Sequence, residues 1–178
     1  MFANRAADPA DSHGKILKAY EAFIKYLAIC CLAAYDKLGE PNKHFPELLT
    51  KLNRRPTLGI WLASLRDVSR LLQEQPDWKI LHDEYQRRFD SPDILDAFLM
   101  MEQSVGNENA TLKQRVSLAD FLEKLVTYRN RCEVHGAQIG SKEKEERSQK
   151  LRKALRVILK QIEFFDQCEL LAVEEVHN

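Results

Sequence analysis

Apolar residues recur along this chain at steps of three and four, without sustained alternation, and Pro, Gly and polar clusters divide the pattern into segments. Such a pattern predicts amphipathic helices. Between Gly14 and Leu38, Ile16, Tyr20, Phe23, Leu27 and Cys31 fall on one face, Ile24 and Ala28 widen it, and Gly39 ahead of Pro41 supplies a stop. A helix so rich in apolar positions belongs at the centre of a fold. Pro46 suits the first turn of a short second helix with Leu48, Leu49 and Leu52 on its apolar side. Thr57 is placed to cap a third, whose face carries Trp61, Leu65, Val68 and Leu72 and which stops before Pro76. A segment from Trp78 must break at Ser91, because the residue before a proline disfavours helical backbone, and Ser91-Pro92-Asp93 opens a further helix through Met101.

The stretch from Gly106 to Ala110 is a polar loop. Ser117 followed by Asp120 resembles a capping box at the head of the next helix. A long amphipathic helix from about Ser141 to Val173 closes the chain, with Leu151, Leu155, Ile158, Ile162 and Phe165 on its core side. The expectation is an all-α bundle of five or six helices with no strand, a flexible segment over residues 1–13 and one domain over 14–178.

Composition narrows the function. With 27 basic and 27 acidic residues the net charge is zero, so binding to nucleic acid has to rest on a local patch. The longest near-apolar run, Tyr26 to Tyr35, is about half of the ~20 residues a membrane helix needs, and residues Met1 to His13 have no secretory pattern. A cytoplasmic protein without a membrane partner is therefore expected. Its cysteines, Cys30, Cys31, Cys132 and Cys168, form no C-x-x-C pair and read as reduced core thiols, and no cofactor or metal is called for.

One helix departs from its own pattern. Its core stripe runs Leu118, Leu122, Leu125, Arg129, Cys132, so Arg129 stands where an apolar residue belongs. A second stripe, Phe121, Leu125, Tyr128, Cys132, His135, brings a histidine to the same side. A guanidinium on a core stripe requires a carboxylate, a subunit interface or a ligand anion to offset its desolvation.

The run Tyr128-Arg129-Asn130-Arg131-Cys132-Glu133-Val134-His135-Gly136 resembles the Arg, polar residue, spacer, His motif of HEPN (higher eukaryote and prokaryote nucleotide-binding) domains. Five residues separate Arg129 from His135, within the four to six of that family, and the motif lies late in a helical chain with one more helix to follow. Resemblance to that family implies a homodimer whose motifs face one another and metal-independent cleavage of RNA, in a defence or toxin–antitoxin setting with an antitoxin or further domains as partners. It implies His135 as the proton carrier, Arg129 as the cation opposite the phosphorane and Asn130 as the group orienting phosphate or histidine, with Tyr128, Arg131 and Glu133 in support. The same resemblance admits a non-catalytic dimerisation module of a larger signalling protein. A looser similarity, from Phe45 to Leu49 and from Arg55 to Trp61, is to helical regions joined to such larger proteins.

Geometry leaves one choice open. On a straight helix six residues turn ~600°, setting Arg129 and His135 about 120° apart, whereas Arg131 and His135 are i,i+4 neighbours. Either the helix breaks before Gly136, or the arginine serves the histidine of another copy, and Arg131 stays a candidate for the principal cation. Glu133 is close enough in sequence to hold either arginine. Farther on, Arg152, Arg156 and Lys160 share a face that suits an RNA backbone or, more ordinarily, solvent. His82-Asp83 resembles the pair of metal phosphohydrolases but lacks its further ligands, and Trp61 and Trp78 read as core or interface anchors.

Overall fold

The computed structural model describes residues 9–39, 45–54, 56–134 and 140–163, and all structural statements concern these. The expected all-helical architecture is present. Seven helices occur among the described residues: α1 Pro9–Leu38, α2 Phe45–Arg54, α3 Leu58–Leu72, α4 Lys79–Gln86, α5 Pro92–Ser104, α6 Leu118–Val134 and α7 Ser141–Gln161. None is long and apolar enough to cross a membrane.

The central helix is α1, packed against α3 on one side and α7 on another. Its expected stripe is buried, with Tyr20, Ile24 and Ala28 wholly so. It begins at Pro9 rather than Gly14, so residues 9–13 of the segment expected to be flexible are helical, while residues 1–8 lie outside the described residues. The cause is tertiary: Ser12 and His13 are buried against α7, where Arg152 donates to Ser12 Oγ at 2.9 Å. The polar composition of those residues hid this docking.

Caps act much as their chemistry dictates. Thr57 Oγ1 accepts from the Ile60 amide at 3.3 Å and heads α3. Thr57→Ala should therefore lower stability by about 1 kcal/mol; a urea unfolding midpoint equal to wild type would show that this cap contributes nothing. Ser117 Oγ accepts from the Asp120 amide at 3.0 Å at the start of α6. Ser91, in contrast, caps α5 through its backbone, its carbonyl accepting from Ile94 and Leu95 at 3.0 Å each while its hydroxyl makes no cap bond. Helix α5 runs on to Ser104, and Gly106, at a φ of +102°, turns the chain away where a side chain would be strained.

Two departures from expectation position the functional end. First, a short antiparallel bridge joins β1 (Arg88–Phe89) to β2 (Val116–Ser117), pairing Arg88 with Ser117 and Phe89 with Val116. Strands of two residues leave no periodicity to read, so none was expected. Helices α5 and α6 both start beside this bridge and run side by side in the same direction: a Cβ on Gly106, just beyond α5, would lie 3.1 Å from Nη1 of Arg131, near the far end of α6. Second, α7 ends at Gln161 and not near Val173, with Ile162 extended (φ −79°, ψ 114°) and buried. The apolar pattern carried no stop signal there, while Phe165 and the rest of the expected helix lie outside the described residues.

Candidate functional site

At one end of the bundle the last turns of α5 and α6 meet the first turns of α1 and α7. Tyr128 lies beneath, fully buried, on the side of α6 that faces α1 and α7. Its hydroxyl is 3.3 Å from Nε2 of His13, whose Nδ1 is 3.2 Å from Ser148 Oγ. The Ser148 hydroxyl donates its only hydrogen to the Lys144 carbonyl at 2.6 Å, so it accepts from His13 Nδ1–H, and Tyr128 O–H donates to the bare Nε2. The guanidinium of Arg147 sits over the Tyr128 ring, 5.8 Å from its centre, and also hydrogen-bonds its hydroxyl. Glu143 pairs with Arg147 from the preceding turn. Next to this relay, Tyr20 donates to the Leu151 carbonyl at 2.8 Å, a second tie between α1 and α7.

These contacts set the charge states. Burial, then the Tyr128 neighbourhood including Cys132, raises the Tyr128 hydroxyl far above the ordinary phenol range, so it stays protonated. His13 is held below its usual value of 6.5, first by desolvation and then by Arg147 and Lys144, and is neutral as the hydrogen-bond assignment requires. Because the unfolded chain binds this proton more tightly, the neutral-His13 contribution to stability is complete above pH 6.5 and declines as pH falls from there toward the lowered folded-state value. Thermal unfolding of wild type and His13→Gln across that range should show wild type losing more stability on acidification; parallel curves would remove His13 from the account.

The surface of the motif lies above this relay. Arg129 is half-buried, its side chain 29% exposed, not sunk in the core as the stripe suggested. Its Nη2 is 3.8 Å from Glu21 on α1, and its Nη1 is 3.5 Å from Asn130 Oδ1. Glu21 thus supplies a carboxylate near the guanidinium, though Glu21 holds Lys25 more closely, at 2.7 Å. Asn130 and Arg131 are exposed. Two residues on a helix turn ~200°, so Arg129 and Arg131 leave α6 on opposite flanks, one toward Glu21 on α1 and the other toward Gly106 after α5. His135 lies outside the described residues, and so does the side chain of Glu133; their expected parts in the motif are not placed.

On the Arg131 flank a cleft of about 320 Å³ opens between α5 and α7, lined by Met100, Gln103, Ser104, Glu143, Glu146, Arg147 and Lys150. The expected basic face, Arg152, Arg156 and Lys160, is exposed on α7, and Arg152 also donates to Ser12 Oγ. Position alone gave no sign of His13 in the sequence, since its partners Tyr128 and Ser148 are more than a hundred residues away. The other histidine considered, His82, bonds the Ser69 carbonyl at 3.1 Å, and its neighbour Asp83 pairs with Lys79, so that pair is held by helix contacts. Trp61 and Trp78 pack against the core, with Lys37 over the Trp78 ring. No cluster of three or more His, Cys, Asp or Glu able to hold a metal ion occurs among the described residues, and Cys30, Cys31 and Cys132 form no disulfide there. No family model, curated protein or solved structure matches the chain.

Proposed function

We propose that the chain is a HEPN-type endoribonuclease working in the cytoplasm as a homodimer, with the centre at Arg129, Asn130 and His135. The observation that carries this reading is the position of Arg129-Asn130-Arg131 at the exposed last turns of a core helix, anchored from below by the Tyr128 relay. Rigid support under a polar, solvent-facing turn is what a site must have to hold a phosphate in fixed geometry.

The chemistry follows from the groups. An attacking ribose 2′-oxygen bonds to the adjacent phosphorus, giving its proton to a base, while the bond from phosphorus to the 5′-oxygen breaks and that oxygen takes a proton. The products are a 2′,3′-cyclic phosphate and a 5′-hydroxyl. A histidine suits this exchange, since its ordinary pKa of ~6.5 lets it take and give a proton near neutrality. The fork-shaped arginine suits the charge that develops on the phosphorane. Arg129 on one copy would serve His135 on the other, which meets the rotational offset between them. A toxin held by an antitoxin, or one domain of a defence protein, is the setting this activity implies.

A second reading, a non-catalytic dimerisation module, is favoured by the Glu21 carboxylate 3.8 Å from Arg129, which can make that arginine structural. Incubating the chain with mixed RNA in excess chelator and mapping the cut ends separates the two. Cyclic-phosphate ends produced by wild type and not by His135→Ala support the nuclease; intact RNA with a retained dimer moves the assignment to the module.

A further inference from the structure

We propose that the cleft between α5 and α7 is a subsite for one nucleotide of a single-stranded RNA and that it selects guanine. The inference rests on the ribonuclease reading and extends it to substrate choice. Along α7, Glu143, Glu146, Arg147 and Lys150 are spaced by three and four residues and so line one wall. Glu143 and Arg147 are occupied with each other, and Arg147 with Tyr128 as well. Glu146 and Lys150 form an i,i+4 pair of opposite charge that makes no ion pair, with each other or elsewhere, among the described residues, and Gln103 on the α5 wall makes no side-chain hydrogen bond. Elsewhere on this helix i,i+4 partners do close, as Glu143–Arg147 and Glu145–Gln149 show.

The cleft therefore presents a carboxylate, which can only accept, beside an ammonium, which can only donate. Guanine carries the matching edge: a carbonyl oxygen next to two adjacent N–H donors. Lys150 can donate to the carbonyl while Glu146 accepts from the ring N–H and the amino group. Adenine would turn a ring-nitrogen lone pair toward the carboxylate, cytosine presents a lone pair and a carbonyl beside its amino group, and uracil offers a single donor. Glu146 and Lys150 are exposed, so a wrong base leaves them to water, and the selection is that of the paired hydrogen bonds the matching base gains. On the opposite wall, the Ser104 hydroxyl donates to the Met100 carbonyl at 2.7 Å and keeps its lone pairs to accept from a ribose hydroxyl. The Met100 side chain provides a soft apolar surface for the base. The volume of about 320 Å³ lies at the small end of ligand clefts, ~300–1,000 Å³, and suits a single nucleotide. Arg131 of the motif reaches Gly106, two residues beyond Ser104 of the cleft wall.

The test is calorimetric titration of the full chain with GMP, AMP, CMP and UMP, with circular dichroism to check each variant's fold. GMP is expected to bind at least about tenfold more tightly than the other three, since one good hydrogen-bonded pair discriminates by about that much. Glu146→Gln should bring GMP down to the AMP level, and Gln149→Ala, off the cleft wall, should leave the preference intact. Equal affinities, no binding at millimolar concentration, or a GMP preference that survives Glu146→Gln each overturn the proposal. None of these readouts requires cleavage, so a chain that cuts RNA without guanine preference sinks the subsite alone, and a guanine-selective chain that never cuts RNA sinks the nuclease alone.

Discussion

His135→Ala should lower the rate of RNA cleavage by about 10²–10⁴-fold, the range that a positioned general acid or base supplies, while helicity and oligomeric state stay those of wild type. Arg129→Ala should cost about 10²–10³-fold, the loss typical of one group that stabilises developing charge. Arg131 decides the geometry, because it leaves α6 on the flank of Gly106 and the cleft, opposite to Arg129 on the flank of Glu21. If Arg131→Ala costs as much as predicted for Arg129 while Arg129→Ala cuts at the wild-type rate, the working cation faces α5, and the Arg129–Glu21 contact becomes a helix-to-helix tie. If all three variants cut RNA as wild type does, cleavage does not belong to this motif at all. Single-turnover rates on one defined RNA, measured with enzyme in excess, separate these outcomes from changes in RNA affinity.

The helices were legible wherever a periodic apolar face was joined to a local start or stop signal. Thr57 and Ser117 cap as expected because an N-cap is a contact over three residues, and Pro92 holds the first turn of α5 because its φ is fixed by its own ring. The limits expected for α1 and α7 failed for the opposite reason. The start of α1 depends on Ser12 meeting Arg152 and His13 meeting Ser148, and the end of α7 on the extended backbone of Ile162, none of which local spacing encodes. The stripe around Arg129 was read from ideal helical turning, which places the Cα but not the tip of a long side chain. Its guanidinium reaches past the core edge to Glu21 and leaves the polar end in water. Tyr128, by contrast, is legible as an inward-facing member of the second stripe that supports the motif, but its partners are not. Its burial under Arg147 and against His13 emerges from the return of α7, which brings distant polar residues to the same end.

The relay beneath the motif carries the largest expected effect on stability. Tyr128 is fully buried, and Tyr128→Ala should destabilise the fold by about 3–5 kcal/mol, as removal of a large buried aromatic does. Tyr128→Phe keeps the ring under Arg147 and removes only the hydroxyl. It should cost about 1–3 kcal/mol, because His13 Nε2 and the Arg147 guanidinium lose a partner in a place water does not easily reach. A double-mutant cycle with His13→Gln isolates the shared bond: a coupling of about 0.5–3 kcal/mol is expected for residues in one hydrogen-bond network. Strict additivity would mean that the 3.3 Å contact holds nothing in place. With coupling established, Tyr128→Phe becomes a probe of the site above it, since Arg129 follows directly on α6. A cleavage rate that falls in Tyr128→Phe more than the unfolded fraction explains would place the relay in the positioning of the motif, whereas a rate that tracks the folded fraction would confine it to the stability of the bundle.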